Sequence, residues 1–293
     1  MNLRKKIKTR KIKKYKKKNF KGGNSKKIFD FYDEHNYGDN ILSLKFLYNI
    51  SKDLKNNNIQ INYYYNPLTI KNKDELERYI DPEIVKLHAL NEHTNKNNMI
   101  QLRSGKHFPL SPSIIREEHH GFYYSNLVKF LGLEKSSINT ELFQKEPYLL
   151  ELYEKFDSKF KDVDILLINS IPNTVKFESI GSDFNIEKIN NLGIELSKKY
   201  KVVCTNKIND TIPCTLTDNL KLQDIGAIST HAKYIIAVDT GPIVPCYNEY
   251  AKKHVKKWFF ITSLTAKFSG IDYMEINSLD KLNSIPSIID QNI

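Results

Sequence analysis

Two short segments of this chain combine a glycine with side chains that can move a proton or hold a phosphate. One is the pair Gly38-Asp39, and the other is the run Asp239-Thr240-Gly241 with Pro242 after it. A carboxylate can act as a general base, and a hydroxyl beside the unhindered N–H of a glycine can bind an anion at a helix start. Both segments also suit a purely structural role, because the same residue types are common in helix caps and turns.

At the second segment, the hydroxyl of Thr240 and the N–H of Gly241 are the groups expected to contact a diphosphate. A helix after Pro242 would add the positive potential of its N-terminus. The anion would repel the carboxylate of Asp239, so we expect Asp239 to hold the turn by accepting backbone N–H bonds.

At the first segment, Gly38 would let the backbone approach a ligand while Asp39 points into a cleft as a general base. The alternative is that Asp39 caps a helix that starts at Ile41 and complements the dipole of that helix. Both interpretations stay open on the residues alone.

Alternating strands and helices would have to bring these segments together. Apolar runs predict strands at 27–32, 59–65, 164–169, 200–205, 234–238 and 257–262, with shorter runs at 85–90 and 99–102. Helical periodicity predicts helices at 41–54, 122–131, 147–160, 185–198, 222–231 and after 242, with a short one seeded at 73–76. The segment 103–120 is rich in Gly, Pro, Ser and His and is predicted to be a long irregular loop.

This order predicts the α/β class, with two Rossmann-like domains of parallel sheet facing one cleft. The predicted division is a disordered basic tail at 1–26, an N-terminal domain at 27–160 and a C-terminal domain at 161–293.

Other candidate contacts follow from where parallel sheets bind ligands, which is beyond the carboxyl ends of their strands. Asn169 and Ser170 lie at the end of one predicted strand. Thr205 ends the next predicted strand, and Lys207 lies two residues after it. Lys207 could offer its charge to a nucleotide phosphate, or it could simply be solvated.

The net charge of +11 is concentrated in the tail. Residues 1–27 contain 14 Lys or Arg and no Asp or Glu, which leaves 31 basic and 34 acidic residues in the rest of the chain. Three uses of the tail stay open: contact with an anionic membrane surface, contact with nucleic acid, or none beyond solvation.

The cysteines and histidines favour a reducing compartment and no metal site. Cys204, Cys214 and Cys246 are odd in number and lack CxxC spacing, and the histidines lack carboxylate partners at ligand spacing. No run of about 18 apolar residues suggests a membrane span. We therefore expect a cytoplasmic protein, with peripheral membrane association through the tail as an option.

The two glycine segments together resemble the heptosyltransferase-type glycosyltransferases of the GT-B fold, glycosyltransferase family 9. The resemblance lies in YGDNILS at 37–43 and AISTHAKYIIAVDTGP at 227–242. It implies inverting, metal-independent transfer of a sugar from a nucleotide-sugar donor to a glycan, lipid or protein acceptor, without a further cofactor. By this resemblance Asp39 would be the base, Thr240 and Gly241 would grip the donor diphosphate, and the N-terminal domain would hold the acceptor.

The sequence departs from that family pattern in two places. Ile243-Val244-Pro245-Cys246 stands where the family usually has a histidine, and 169–174 lacks a basic residue often found there. Two alternatives therefore remain: a non-catalytic nucleotide- or sugar-binding protein of the same fold, and a nucleic-acid-associated protein that binds through its tail.

Overall fold

The structure is a computed structural model. It describes residues 25–34, 37–71, 73–91, 95–102, 116–133, 142–170, 184–238, 240–262, 268 and 270–292. The predicted basic tail up to residue 24, most of the predicted loop at 103–120, and the candidate residue Asp239 lie outside these ranges.

The first sheet is parallel and has four strands in the order β3-β2-β1-β4. Its strands are β1 (Lys27–Asp33), β2 (Ile59–Tyr65), β3 (Val85–Ala89) and β4 (Ile100–Gln101). Its sequence neighbours are the helices α1 (Tyr37–Asn49), α2 (Ser51–Asn56), α3 (Asp74–Glu77) and α4 (Arg116–Leu131). The chain runs from β1 to β2 on one side and later returns to place β4 on the other side of β1, so the end of β1 is a switch point of the kind at which such sheets bind ligands.

The second sheet is also parallel and has five strands in the order β6-β5-β7-β8-β9. Its strands are β5 (Ile165–Ile168), β6 (Val202–Cys204), β7 (Tyr234–Val238), β8 (Lys257–Ile261) and β9 (Tyr273–Ile276). The helices of this part of the chain are α5 (Tyr148–Glu154), α6 (Ile186–Ser197), α7 (Leu222–Ser229), α8 (Glu249–His254) and α9 (Leu279–Gln291). Here the switch point lies between β5 and β7, and every residue of β7 is buried. The two parallel sheets confirm the predicted α/β class.

The structure corrects the predicted helices at several points. Helix α1 begins at Tyr37 rather than at Ile41, and it ends at Asn49 before a separate α2. The apolar pattern hid the early start because the first turn contains Gly38 and Asn40, which are buried although they are not apolar. Helix α4 begins at Arg116, inside the segment predicted to be irregular. The predicted helix at 147–160 is α5 followed by a short 3-10 turn at Ser158–Phe160.

The segment after β7 is also different from the prediction, because it is a 3-10 helix at Gly241–Cys246 rather than an α-helix. Pro245 lies inside it and has no N–H with which to continue an α-helical ladder. This stretch is called the 3-10 segment below. The strand β9 and the helix α9 were not predicted.

The apolar core is continuous between the two sheets. One cluster of buried side chains joins Phe46 of α1 and Val244 of the 3-10 segment to Trp258 of β8. Leu149 and Tyr153 of α5 pack on Ala227 of α7. The predicted domain boundary at 160/161 stays a prediction. In the part of the chain that the structure describes, no helix is both long enough and apolar enough to cross a membrane.

Candidate active site

The two glycine segments meet backbone to backbone. A Cβ atom added to Gly38 would lie 2.8 Å from Cα of Gly241 and 3.1 Å from Cγ2 of Val244. A Cβ atom added to Gly241 would lie 3.2 Å from the backbone nitrogen of Gly38. This contact, called the glycine junction below, joins the start of α1 in the first half of the chain to the 3-10 segment in the second half.

Side chains on both sides of the glycine junction remain partly accessible. Asp39 is half-buried in the first turn of α1. Thr240, Gly241 and Pro242 are likewise half-buried, whereas the residues from Ile243 to Cys246 are buried. An acid and a hydroxyl, each next to one of the two glycines in sequence, are therefore both partly accessible.

The turn after β7 is held by its own hydrogen bonds. The hydroxyl of Thr240 donates to the carbonyl of Val238 at 3.3 Å, and the N–H of Ile243 donates to the carbonyl of Thr240 at 3.1 Å. The 3-10 segment has six residues, and Pro242 and Pro245 supply no N–H groups. The helix dipole available to an anion is thus smaller than that of the α-helix expected from the sequence.

Asn169 and Thr205 are placed together at the ends of β5 and β6, and both are buried. Oδ1 of Asn169 accepts from the Thr205 hydroxyl at 3.1 Å and from the N–H of Asn206 at 2.8 Å. Nδ2 of Asn169 donates to Oδ1 of Asn190 at 2.8 Å and to the carbonyl of Asn206 at 3.0 Å. The amide is therefore engaged in fixing two loops to each other.

Ser170 lies at the outer side of this network. Its hydroxyl is 3.1 Å from the Thr205 hydroxyl, and the residue is half-buried. Of these three candidate residues, Ser170 is the one with a side chain that retains access to solvent.

Lys207 lies in the loop after β6 and forms an exposed ion pair. Nζ of Lys207 is 2.6 Å from Oδ1 of Asp210, and the two side chains are 56% and 90% exposed. The loop that carries Lys207 is closed at its base by an isolated parallel β-bridge, which joins the backbones of Cys204 and Cys214. Burial and the neighbouring Cys214 raise the pKa of the Cys204 thiol to about 12, which leaves it protonated at neutral pH.

Sequence reasoning did not single out the charged groups that hold α1 in place. The hydroxyl of Tyr37, the first residue of α1, donates to Oε2 of Glu75 at 2.5 Å, and Oε1 of Glu75 is 3.7 Å from Nζ of Lys221. Burial, together with the hydrogen bond to Glu75, raises the pKa of Tyr37 above its ordinary value. Farther along the helix, Lys45 is buried and forms an ion pair with Glu146.

A signal for Lys45 was present in the sequence. It lies four residues after Ile41 and three after Leu42, so it shares the face of α1 that both apolar residues occupy. A lysine on such a face has to find a partner for its charge. That partner, Glu146, is about a hundred residues away in sequence and could not be identified from the pattern.

Among the described residues, no group of three or more His, Cys, Asp or Glu side chains is arranged to hold a metal ion. No protein-family model and no curated protein matches the chain.

Several solved structures are similar in overall fold. A glycosyl transferase of family 9 from Veillonella parvula DSM 2008 shares 14% identity over 89% of each chain, with a TM-score of 0.49. The E. coli heptosyltransferase WaaC with ADP-2-deoxy-2-fluoro heptose shares 9% identity over 91% of this chain and 100% of that one, with a TM-score of 0.47. The iron-containing dodecameric glycosyltransferase TibC from enterotoxigenic E. coli H10407 shares 8% identity over 85% and 62%, with a TM-score of 0.45. Likenesses at these identities are likenesses of fold alone.

Proposed function

We propose that this protein is a glycosyltransferase that moves a sugar from a nucleotide-sugar donor to an acceptor hydroxyl. Asp39 is the general base, and Thr240 and Gly241 bind the donor diphosphate, with Ser170 as a further contact from the end of β5. The transfer is inverting and independent of metal, and it requires no cofactor beyond the donor. The acceptor, a glycan, lipid or protein, lies on the side of the first sheet.

The observation that carries this proposal is the glycine junction. It brings the turn that contains Asp39 onto the turn that contains Thr240, although the two are about two hundred residues apart in sequence. A base beside an anion-binding turn suits a reaction in which an acceptor hydroxyl loses its proton while a diphosphate departs. A simple helix cap at Asp39 would give no reason for the second turn to contact the same backbone.

The first test is turnover. The full chain is incubated with a panel of ADP-, UDP-, GDP- and CMP-linked sugars, and release of the free nucleotide is measured. Binding is followed in parallel by thermal shift, since a ligand at ten times its dissociation constant stabilises a fold by about 1.4 kcal/mol.

The second test is the variant Asp39→Asn with the donor that the wild type turns over. Loss of a general base should lower kcat by about 10²- to 10⁴-fold while donor binding is kept. Asp53→Asn is the matched control, because Asp53 also lies in the first turn of a helix, α2, but has no part in the glycine junction. Transfer that survives in Asp39→Asn would show that the base is wrongly assigned, and binding without turnover in the wild type would favour a non-catalytic binding protein.

We also propose a cytoplasmic location and an anionic partner for the basic tail. Three free, buried cysteines, Cys204, Cys214 and Cys246, support a reducing compartment. The 14 basic residues at 1–27 support attraction to an anionic lipid surface, at about 1 kcal/mol per residue near the surface. Sedimentation with phosphatidylserine vesicles and a parallel titration with duplex DNA, each with and without residues 1–24, test the two partners. Tail-dependent binding to vesicles alone supports the lipid surface, and tail-dependent binding to DNA alone supports nucleic acid.

A further inference from the structure

Two contacts of helix α1 lie near the two ends of the 3-10 segment. The first is the glycine junction at Gly38. The second is Lys45, whose Nζ donates to the carbonyl of Tyr247 at 3.2 Å. Tyr247 directly follows Cys246, the last residue of the 3-10 segment.

The two contacts are about equally far apart along α1 and along the 3-10 segment. Seven residues separate Gly38 from Lys45 along α1, which is a rise of about 10 Å. Six residues separate Gly241 from Tyr247, which at the rise of a 3-10 helix is about 12 Å. The two contacts therefore add to the apolar packing of the buried face of α1 in fixing the orientation of the helix.

The charge of Lys45 is balanced by Glu146, which lies shortly before α5. Nζ of Lys45 is 2.5 Å from Oε1 of Glu146, and the two side chains are 5% and 6% exposed. Oε2 of Glu146 accepts from the hydroxyl of Tyr148 at 2.7 Å. The stretch before Glu146 is bonded to the second half of the chain, because Glu249 donates its N–H to the carbonyl of Gln144 at 2.9 Å.

A buried ion pair of this kind is a weak source of stability. The desolvation of two charges offsets much of their attraction, and apolar replacements of similar volume are often neutral or stabilising. What the pair does supply is a defined position for the Lys45 side chain, whose ammonium group contacts both Glu146 and the carbonyl of Tyr247. A function in fixing the geometry of the site accounts for this charge better than a function in stability.

We propose that Lys45 is a positioning residue, which with Glu146 holds the Asp39 turn in register with the Thr240–Gly241 turn. This inference rests on the proposed glycosyl transfer. Lys45 acts through α1 and does not itself touch the donor or the acceptor.

The test uses the double variant Lys45→Met with Glu146→Gln. Removal of Lys45 alone would leave Glu146 buried without its cation, and such a protein could fail to fold. The double variant removes both charges and keeps the volumes and the acceptor for Tyr148. The control is Lys55→Met with Glu83→Gln, an exposed pair in the same half of the chain at 2.5 Å, with side chains 63% and 68% exposed.

Steady-state nucleotide release is measured for each variant with the nucleotide sugar of the panel that the wild type turns over. A misplaced base should lower kcat by about 10- to 100-fold. KM should stay within about twofold, because donor contacts are unchanged. A kcat equal to that of the control, or a raised KM with unchanged kcat, would overturn the inference. Absence of turnover in the wild type would instead contradict the proposed function.

A second measurement tests the geometry even without turnover. Hydrogen exchange is followed by mass spectrometry at the amides of Ile243 and Tyr247, which donate to the carbonyls of Thr240 and Val244. These amides should exchange faster in the Lys45 and Glu146 double variant than in the control. The comparison is made between variants that have equal thermal midpoints. Equal exchange in both variants would show that Lys45 does not hold the 3-10 segment.

Discussion

The glycine junction and the Asn169 network are both formed by residues that follow parallel strands, but they are built in opposite ways. At the glycine junction two backbones touch, and the side chains of Asp39 and Thr240 stay partly accessible. In the network, Asn169 and Thr205 are buried and bonded to each other and to neighbouring loops.

This difference separates two uses of polar residues at a sheet edge. Polar groups that bond to one another hold loops in place and have little capacity left for a ligand. A junction without side chains lets two turns approach, so that the residues beside them can act on the same molecule. The two regions should therefore respond differently to substitution, the network mainly in stability and the junction mainly in activity.

The largest effect on stability is expected from Asn169→Ala. It leaves the N–H of Asn206 and the hydroxyl of Thr205 without their shared acceptor in a buried place, at a cost of about 3 kcal/mol in the free energy of unfolding. Urea denaturation measures this change. Asn190→Ala is the control, because it removes a single bond of the same network and should cost about 1 kcal/mol. Equal costs for the two variants would mean that Asn169 is not the centre of the network.

A smaller effect on stability, with a larger one on activity, is expected from Gly38→Ala. The added methyl group would overlap the backbone of Gly241, so the two turns have to separate, at about 2 kcal/mol. Nucleotide release should fall by about 100-fold, because the base is displaced.

Gly132→Ala is the comparison for Gly38→Ala. Gly132 has a φ of 73° and no atom within 4 Å of an added Cβ, so its substitution costs about 1 to 2 kcal/mol through backbone strain alone. Nucleotide release should be unchanged in this variant. If both glycine variants lose activity to the same extent, the loss comes from general destabilisation and the junction has no special function.

The smallest effect is expected from Lys207→Ala. Its ion pair with Asp210 is exposed and screened by solvent, so the free energy of unfolding should hardly change. Nucleotide affinity of the same variant, measured by titration, decides between the two interpretations of this lysine. A drop of more than about threefold would assign Lys207 to a phosphate, and an unchanged affinity would leave it a solvated residue.

Much of the architecture followed from local patterns in the sequence. The strands β2 and β7 lie where the sequence predicted them, because β7 is an unbroken apolar stretch and β2 combines isoleucine with a run of tyrosines that favours extended structure. The two glycine segments were identified for the same reason, since a strand end followed by Gly and a polar side chain is a local feature. The start of α1 and the 3-10 segment were mispredicted, because buried polar residues and Pro245 interrupted the periodicity.

By itself, then, the sequence determined the α/β class, the main strands and the two turns that contain Asp39 and Thr240. The tertiary structure decided that these turns touch, that the amide of Asn169 is engaged in internal bonds, and that Lys45 pairs with Glu146. The physical reason is distance along the chain. A periodic pattern reports which face of an element is buried, but the partner of a buried polar group can come from any other segment, and only folding selects it.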